Sequence, residues 1–217
     1  MAGVFVAADL ARIKNTALLA IGREAEPAAN FWAVSFFSKG HRVAYKIDEV
    51  VDFDSLTCVA HAMAVDKGWW EGERSAVECW VNFHAELSEA LEEYRCGRMA
   101  TWYAADAASV LRSGGVPKPE GFWVEVADLM IRIADYVGSR RFNASRFSEV
   151  DYDDAKWNEI PSVIFLLHWH VSAAEFRVVV EACEKFAAAH KVDLYAIIRE
   201  KLRYNATRPH RHGGKRA

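Results

Sequence analysis

Cysteine is scarce in this chain, and its four cysteines follow no metal-binding or disulfide pattern. Cys58, Cys79, Cys96 and Cys183 lie far apart, and no two of them are spaced as CxxC. The sequence therefore indicates neither a structural zinc site nor a disulfide framework. We expect all four to be small, buried apolar residues.

Long apolar runs are also missing. The best candidate for a membrane segment, residues 160–174, is uncharged but contains His168 and His170. It is shorter than the roughly 18 apolar residues that indicate a spanning helix. Charged residues from Asp9 onward interrupt the start of the chain, which is not typical of a signal peptide. We predict a cytoplasmic protein without membrane contact.

The composition that is present suits a compact protein. The chain has 217 residues, 52% of them hydrophobic, which is enough for one sizeable core. The net charge is only -3, but residues 202–217 contain five basic residues and no acidic one. A cationic tail on an acidic body suits an anionic ligand that contacts both a metal ion and the tail.

Apolar residues recur at helical spacing over most of the chain after residue 54. The pattern predicts helices over residues 55–68, 75–95, 120–137, 173–190 and 194–204, with a short helix within residues 100–115. Asp54 or Ser55 would cap the first helix, and Gly138 would end the third. Beyond Asn205 we expect an extended tail. The sequence thus predicts a mostly α fold, a helical bundle.

The N-terminal region has a different pattern. A predicted helix over residues 7–22 precedes two aromatic and β-branched runs, residues 31–37 and 42–47, which form a candidate β-hairpin. We therefore divide the chain into an N-terminal extension, residues 1–53, and an all-α core, residues 54–217. The core includes an irregular segment at residues 139–170 and the basic C-terminal tail.

Two of the predicted helices each carry three acidic residues along one stripe. These residues are Glu86, Glu89 and Glu93 on the second helix, and Glu125, Asp128 and Asp135 on the third. Arg132 is the only basic residue among them. Like charges at this spacing cost a few tenths of a kcal/mol per pair on a bare helix, so two such stripes indicate a bound cation.

Carboxylate oxygens favour Mg²⁺, with Mn²⁺ as an alternative. A di-iron bundle would need Glu-x-x-His pairs, and the sequence contains none. The competing interpretation is that both stripes are solvated helix faces, with Glu93 the residue for which that interpretation is strongest.

The spacing and context of these acids resemble the ExxE and ExxD motifs of MazG-like all-α nucleoside triphosphate pyrophosphohydrolases, a family related to dimeric dUTPases. The matching segments are KGWW at 67–70, ELSEALEE at 86–93, KPEGFWVEVADLMIRIAD at 118–135 and KLRYNATRPHRHGGK at 201–215. The resemblance covers residues 55–138 and 190–217. It departs from the family at residues 98–118, an insert that widens the gap between the motifs.

The resemblance implies hydrolysis of a (deoxy)nucleoside triphosphate to the monophosphate and pyrophosphate. It assigns Glu86, Glu89, Glu125 and Asp128 as ligands of Mg²⁺. Glu86 or Glu89 would also act catalytically, by accepting the proton of the attacking water. The substrate-binding residues that it implies are Asp135, Lys201, Tyr204, Asn205, Arg208, His212 and Lys215.

Several of these residues have a second interpretation. Asp135 would otherwise be a surface partner of Arg132 or Arg140, and the tail a disordered basic segment. Trp69 or Trp70 would stack on the base or belong to the core. His168 and His170 alternate as on a strand, and we expect them to be structural.

Two other functions remain open on sequence grounds. The same metal site would serve to hydrolyse an alarmone such as guanosine tetraphosphate, (p)ppGpp. A non-catalytic helical binding module would instead use the basic tail to bind nucleic acid or a protein, which the four filled acidic positions make less expected. The family implies a homodimer or homotetramer, and apolar sides of the two acidic helices would fit such an assembly.

Overall fold

A computed structural model of the protein describes residues 5–6, 35–38, 41–72, 74–140 and 157–214. Its helices are α1 Phe53–Asp66, α2 Ala76–Arg95, α3 Ala107–Arg112, α4 Phe122–Arg140, α5 Ile160–Ser172, α6 Phe176–Ala189 and α7 Leu194–Thr207. A 3-10 helix at Ile47–Glu49 precedes them, and a short helical turn at Arg211–Gly214 follows. The predicted mostly α fold is confirmed.

The described residues include four short strands. Strands β2 Ser35–Ser38 and β3 His41–Ala44 pair antiparallel, as predicted for the hairpin, but the second strand ends at Ala44 and not at residue 47. Strand β1 Phe5–Val6 pairs antiparallel with β4 Trp102–Tyr103 in the insert, a pairing that the sequence pattern did not predict. The helix predicted over residues 7–22 lies outside the described residues.

The boundary between extension and core stays a prediction. Tyr45, Ile47 and Val50 precede the predicted start of the core but are buried in the same apolar cluster as the helices.

Helix α4 is the centre of the bundle. It packs against α1, α2, α6 and α7. Leu129, Met130 and Ile133 are fully buried, as are most of the other residues of the helix, whereas Asp128, Ile131 and Arg132 are partly exposed along one side. A helix that buries most of its surface lies in the interior of a domain. The acidic residues of α4 are therefore carried into the interior with it.

Side-chain caps set the starts of α1 and α2. The Asp52 carboxylate accepts from the Ser55 amide at 2.9 Å, and the Ser55 hydroxyl accepts from the Asp52 amide at 3.2 Å. Ser75 and Glu78 form the same reciprocal box before α2. The predicted cap of α1, Asp54 or Ser55, is wrong by two to three residues, because Ser55 is the third residue of the helix rather than its cap.

Gly138 does not end α4, contrary to the sequence prediction, because the helix continues to Arg140. A Cβ atom at Gly138 would lie 2.6 Å from Cβ of His61 on α1. The glycine therefore allows α1 and α4 to pack closely and does not serve as a stop signal.

Three further sequence predictions are wrong. His168 and His170 lie on helix α5, not on a strand, so their alternation has no structural meaning. Cys58 and Cys96 are exposed, and only Cys79 and Cys183 are buried as expected. The chain beyond Asn205 is not extended as predicted, as described below.

Helix α5 is joined to α2 through two histidines. Nδ1 of His84 lies 2.7 Å from Nδ1 of His168, and the ring planes are 7° from parallel with centroids 5.0 Å apart. This combination places the rings edge to edge in nearly one plane, so one Nδ1 must donate its proton and the other must accept it.

The insert between α2 and α4 closes on itself. The backbone of Trp102 exchanges hydrogen bonds of 2.9 and 3.0 Å with that of Glu120. The Trp102 indole donates to Glu93 at 2.7 Å, and the Tyr103 hydroxyl donates to Glu200 of α7. The insert is therefore tied at its base to α2 and α7.

Within the described part of the chain, none of the helices combines the length and apolar composition needed to span a bilayer.

Candidate metal centre and adjoining cleft

Helices α2 and α4 bring three carboxylates together. One carboxylate oxygen each of Glu86, Glu125 and Asp128 lies within 4.8 Å of the others, a group that could hold a metal ion. Glu86 is 3% exposed and Glu125 is 4% exposed. The competing interpretation of solvated acidic faces is therefore wrong for these two residues.

The cluster also contains two cations from the protein. The Arg132 guanidinium pairs with Glu86, and the Lys201 ammonium of α7 lies 2.9 Å from Asp128. Lys201 is only 2% exposed. The resemblance assigned Lys201 to the substrate, but here it contacts Asp128 of the three-carboxylate group. Two positive charges, the buried Lys201 and the partly exposed Arg132, thus partly neutralise the acids.

Burial changes the proton affinity of the centre. Burial raises the pKa of Glu86 to about 7, with Asp128 adding to the shift and Arg132 opposing it. Burial also raises the pKa of Glu125 to about 8, and Lys201 opposes that shift. For Lys201 itself burial favours the neutral amine, but Asp128 and Glu125 outweigh it and its pKa is raised.

The remaining glutamates of the α2 stripe differ from Glu86. Glu89 is exposed and lies outside the three-carboxylate group, although its charge raises the pKa of both Glu86 and Glu125. Glu93 is half-buried, pairs with Arg98 at 3.3 Å and accepts from Trp102. The expectation that Glu93 is solvated is wrong, because Glu93 anchors the insert.

A cleft adjoins the centre beside Asp128. It is open to solvent on one side, and its cavity volume is about 90 Å³. Three arginines line it, Arg74, Arg132 and Arg208. Burial lowers the pKa of Arg208, and the neighbouring Arg132 charge adds to this effect. Crowded, partly buried guanidinium groups of this kind suit an anionic ligand. Among the described residues of the insert, none lines the cleft.

Asp135 lies at another part of the cleft wall. It accepts from His61 at 2.9 Å and from Trp70 at 2.8 Å, and Arg74 lies 3.4 Å away. It is therefore neither a surface residue nor a partner of Arg132, and it lies outside the three-carboxylate group. Its contacts hold the Trp70 and Arg74 side chains in place.

The aromatic residues of the 67–71 turn divide between wall and core. Trp69 lines the cleft, with the His212 ring 5.0 Å away and the Arg74 guanidinium 5.8 Å away. Trp70 packs against the core and donates to Asp135. The core interpretation therefore holds for Trp70, whereas Trp69 lines the cleft and its stacking on a base stays a prediction.

The C-terminal residues form part of the cleft wall. Helix α7 continues to Thr207, and the residues after it turn back toward α1. Asn205, Arg208 and His212 line the cleft, and the Tyr204 ring lies 5.8 Å from the Arg208 guanidinium. The alternative of a disordered tail is wrong as far as residue 214, while Lys215 lies outside the described residues.

Sequence reasoning missed several residues of this region. Arg132 had a signal, since it follows Asp128 by four residues on the acidic stripe. Lys67 begins the matching KGWW segment but was given no role there. Arg74 had no signal, because it lies in the connection between α1 and α2, where no periodicity applies. His61 reaches Asp135 from the opposite helix, a contact that spacing alone does not predict.

Comparisons of the chain with protein-family models, with curated proteins and with solved structures find no match.

Proposed function

We propose that the protein is a Mg²⁺-dependent hydrolase that converts (deoxy)nucleoside triphosphates to the monophosphate and pyrophosphate. The observation that carries the proposal is the position of the three-carboxylate group beside a cleft lined by three arginines. A metal site next to a polycationic wall suits a ligand that is itself a string of phosphates. The resemblance to MazG-like enzymes supports the same activity.

The donor set fits a hard divalent ion. Glu86, Glu125 and Asp128 offer only oxygen atoms, which suits Mg²⁺ or Mn²⁺ better than zinc or copper. When bound, Mg²⁺ would neutralise phosphate charge and lower the pKa of a water molecule.

The residues of the chain have separable roles in this proposal. Arg132 and Arg208 hold phosphate oxygens, because both line the cleft close to the acids. Lys201 keeps Asp128 in place through its 2.9 Å contact. Glu86 in the three-carboxylate group and the exposed Glu89 are the two candidates to accept the proton of the attacking water.

The aromatic part of the cleft lining suits the nucleoside. Trp69 presents an aromatic surface between His212 and Arg74. Asn205 adds an amide whose oxygen is buried without a hydrogen-bond partner within the described structure. A flat base with its own donors would satisfy both features.

The proposal is tested by pyrophosphate release from a panel of ribo- and deoxynucleoside triphosphates, with Mg²⁺ and with EDTA. The panel includes guanosine tetraphosphate, so that the alarmone alternative is measured in the same assay. The variant is Glu125→Gln, because a carboxamide resembles the protonated acid that burial favours at this position. The control is Glu92→Gln, since Glu92 is exposed on the same bundle and contacts Arg95 and Cys96, neither of which belongs to the three-carboxylate group.

We expect Mg²⁺-dependent release that Glu125→Gln lowers more than about 100-fold and Glu92→Gln leaves unchanged. If pyrophosphate is released from guanosine tetraphosphate alone, the substrate is an alarmone and not a nucleoside triphosphate. No release from a folded, Mg²⁺-binding protein would contradict the hydrolase proposal and favour the binding module.

The assembly that we propose is a homodimer or homotetramer, but its surface differs from the one expected. The apolar side of α4 is buried in the core, so the apolar sides of the two acidic helices are not both free. Among the described residues, the exposed large apolar side chains are Val51, Val65, Val77, Val81, Phe165 and Trp169. We propose that the surface of the assembly is formed by Val77 and Val81 on α2 and by Phe165 and Trp169 on α5. Light scattering of Trp169→Asp against wild type tests this surface, and an unchanged mass would contradict it.

A further inference from the structure

The end of α7 is held by a buried lysine from the far side of the cleft. Nζ of Lys67, in the turn after α1, donates to the carbonyl oxygens of Ala206 at 2.8 Å and Arg208 at 2.7 Å. Carbonyls at a helix C-terminus lack helical partners and favour a nearby cation. Lys67 is buried, and burial lowers its pKa. Its ammonium is thus committed to the backbone of the C-terminal segment.

The same turn holds the chain again a few residues later. The Arg211 amide donates to the Lys67 carbonyl at 2.9 Å, and Nε of Arg211 donates to the Gly68 carbonyl at 2.9 Å. His210 pairs with Glu71 at 3.0 Å. Residues 206–212, which we call the strap, are therefore fastened to the 67–71 turn by backbone and side-chain contacts.

The contact also depends on a residue without a side chain. Gly68 has a φ of +80°, and a Cβ atom there would lie 2.0 Å from the His210 ring. Any larger residue would be strained in its backbone and would push against the strap. The turn and the strap are thus complementary in shape as well as in hydrogen bonding.

The strap carries two of the residues that line the cleft, Arg208 and His212. Lys67 donates to the backbone carbonyl of Arg208 and therefore fixes the position of the backbone from which the Arg208 side chain extends. We propose that Lys67 is a positioning residue: it latches the strap to the turn, and this latch holds Arg208 in the phosphate-binding wall. The phosphate ligand in this inference rests on the proposed function, whereas the contacts between Lys67 and the strap do not depend on it.

Two variants open the latch in different ways. Lys67→Met removes the two bonds to the strap, and Gly68→Ala displaces His210 by steric contact. Lys67→Arg keeps a cation that can donate to the carbonyls and tests for partial rescue. The control is Arg203→Met, which removes a cation from α7 that contacts Asp48 and not the strap.

The first readout is binding of inorganic pyrophosphate in Mg²⁺ by calorimetry. We expect Lys67→Met and Gly68→Ala to weaken it at least about 10-fold, Lys67→Arg to restore part of the loss, and Arg203→Met to change it less than about twofold. Mn²⁺ binding without pyrophosphate is measured in parallel and should change less than about twofold in all four, since the metal ligands lie on α2 and α4. A general structural defect would weaken both.

The second readout is tryptic cleavage after Arg211, followed by mass spectrometry. The docked Arg211 should be protected in wild type and cleaved about 10-fold faster in Lys67→Met, with thermal melts to confirm that the variant is folded. Equal cleavage and equal pyrophosphate affinity in wild type and Lys67→Met would overturn the latch. If wild type binds no pyrophosphate, the proposed function fails and the cleavage rates alone decide on the latch.

Discussion

Helix α2 carries glutamates of two kinds on neighbouring turns. Glu86 lies in the interior with Arg132 as its partner, whereas Glu92 is in solvent and pairs with Arg95 at 3.3 Å, both side chains being more than 60% exposed. The residue type and the helix are the same. The two glutamates differ in their surroundings, because only Glu86 faces Glu125 and Asp128 of α4. A buried carboxylate requires compensation that an exposed one obtains from water.

The largest difference between the two glutamates should appear in metal binding. Glu86→Gln removes a donor from the three-carboxylate group and should weaken Mn²⁺ binding, measured by calorimetry, more than about 100-fold. Glu92→Gln should leave the affinity within about twofold. Similar losses in both variants would mean that the ion is attracted by the general charge of α2 and not held by the cluster.

The second largest difference should appear in stability. Asp128→Asn leaves the buried Lys201 ammonium without its nearest partner and should lower the free energy of unfolding by about 3 kcal/mol. Asp48→Asn breaks a more exposed pair with Arg203 and should lower it by less than about 1 kcal/mol. Urea denaturation in EDTA measures both values. A small loss for Asp128→Asn would show that Glu125 alone can neutralise Lys201.

The free energy of unfolding should depend on pH through the buried glutamates Glu86 and Glu125, whose pKa values are raised in the folded protein. Unfolded glutamates titrate near 4.5, whereas the folded pKa values are about 7 for Glu86 and about 8 for Glu125. The folded protein therefore holds more protons across this window. Metal-free stability should be highest below pH 4.5 as far as these groups contribute, and should fall as pH rises to 8.

Urea denaturation in EDTA at pH 5, 6.5 and 8 measures this slope. Glu125→Gln should flatten it, because the variant no longer loses a proton there. Added Mg²⁺ should offset the fall, because the ion competes with protons for the same oxygens. A slope that is equal in wild type and Glu125→Gln would contradict the assignment.

The smallest expected effect concerns the half-buried Glu93. Glu93→Gln weakens its contacts with Trp102 and Arg98 and should lower the free energy of unfolding by about 1 kcal/mol. Mn²⁺ affinity should stay within about twofold, because Glu93 lies outside the three-carboxylate group. A larger loss of Mn²⁺ affinity would link the insert to the metal centre.

The sequence was informative where local rules apply. Helix α2 was predicted at residues 75–95 and observed at Ala76–Arg95, because Ser75 and Glu78 form a cap that is visible in the sequence. The hairpin at residues 35–44 follows from its two β-branched and aromatic runs. The spacing of Glu125 and Asp128 also placed both on one side of α4, where the structure has them.

The remainder depended on contacts between distant residues. The sequence analysis predicted that Gly138 ends the helix. Its actual role, close packing against His61, involves a residue distant in sequence and could not be predicted from local spacing. The burial of Glu86 and Glu125 follows from the central position of α4, which no single helix reveals. Lys67 lies 139 residues from Ala206, so no spacing rule could connect them. Propensity predicts elements, whereas the cleft is a product of their assembly.

The edge-to-edge pair of His84 and His168 has a mechanical consequence. Because a single proton lies between two nearly coplanar rings, neither α2 nor α5 can rotate about its own axis without breaking the bond. Glu86 follows His84 by two residues on the same helix, so the direction of the Glu86 side chain depends on how α2 is held against α5. A change in the position of α5 would therefore act on Glu86 of the three-carboxylate group, although α5 supplies none of the three carboxylates.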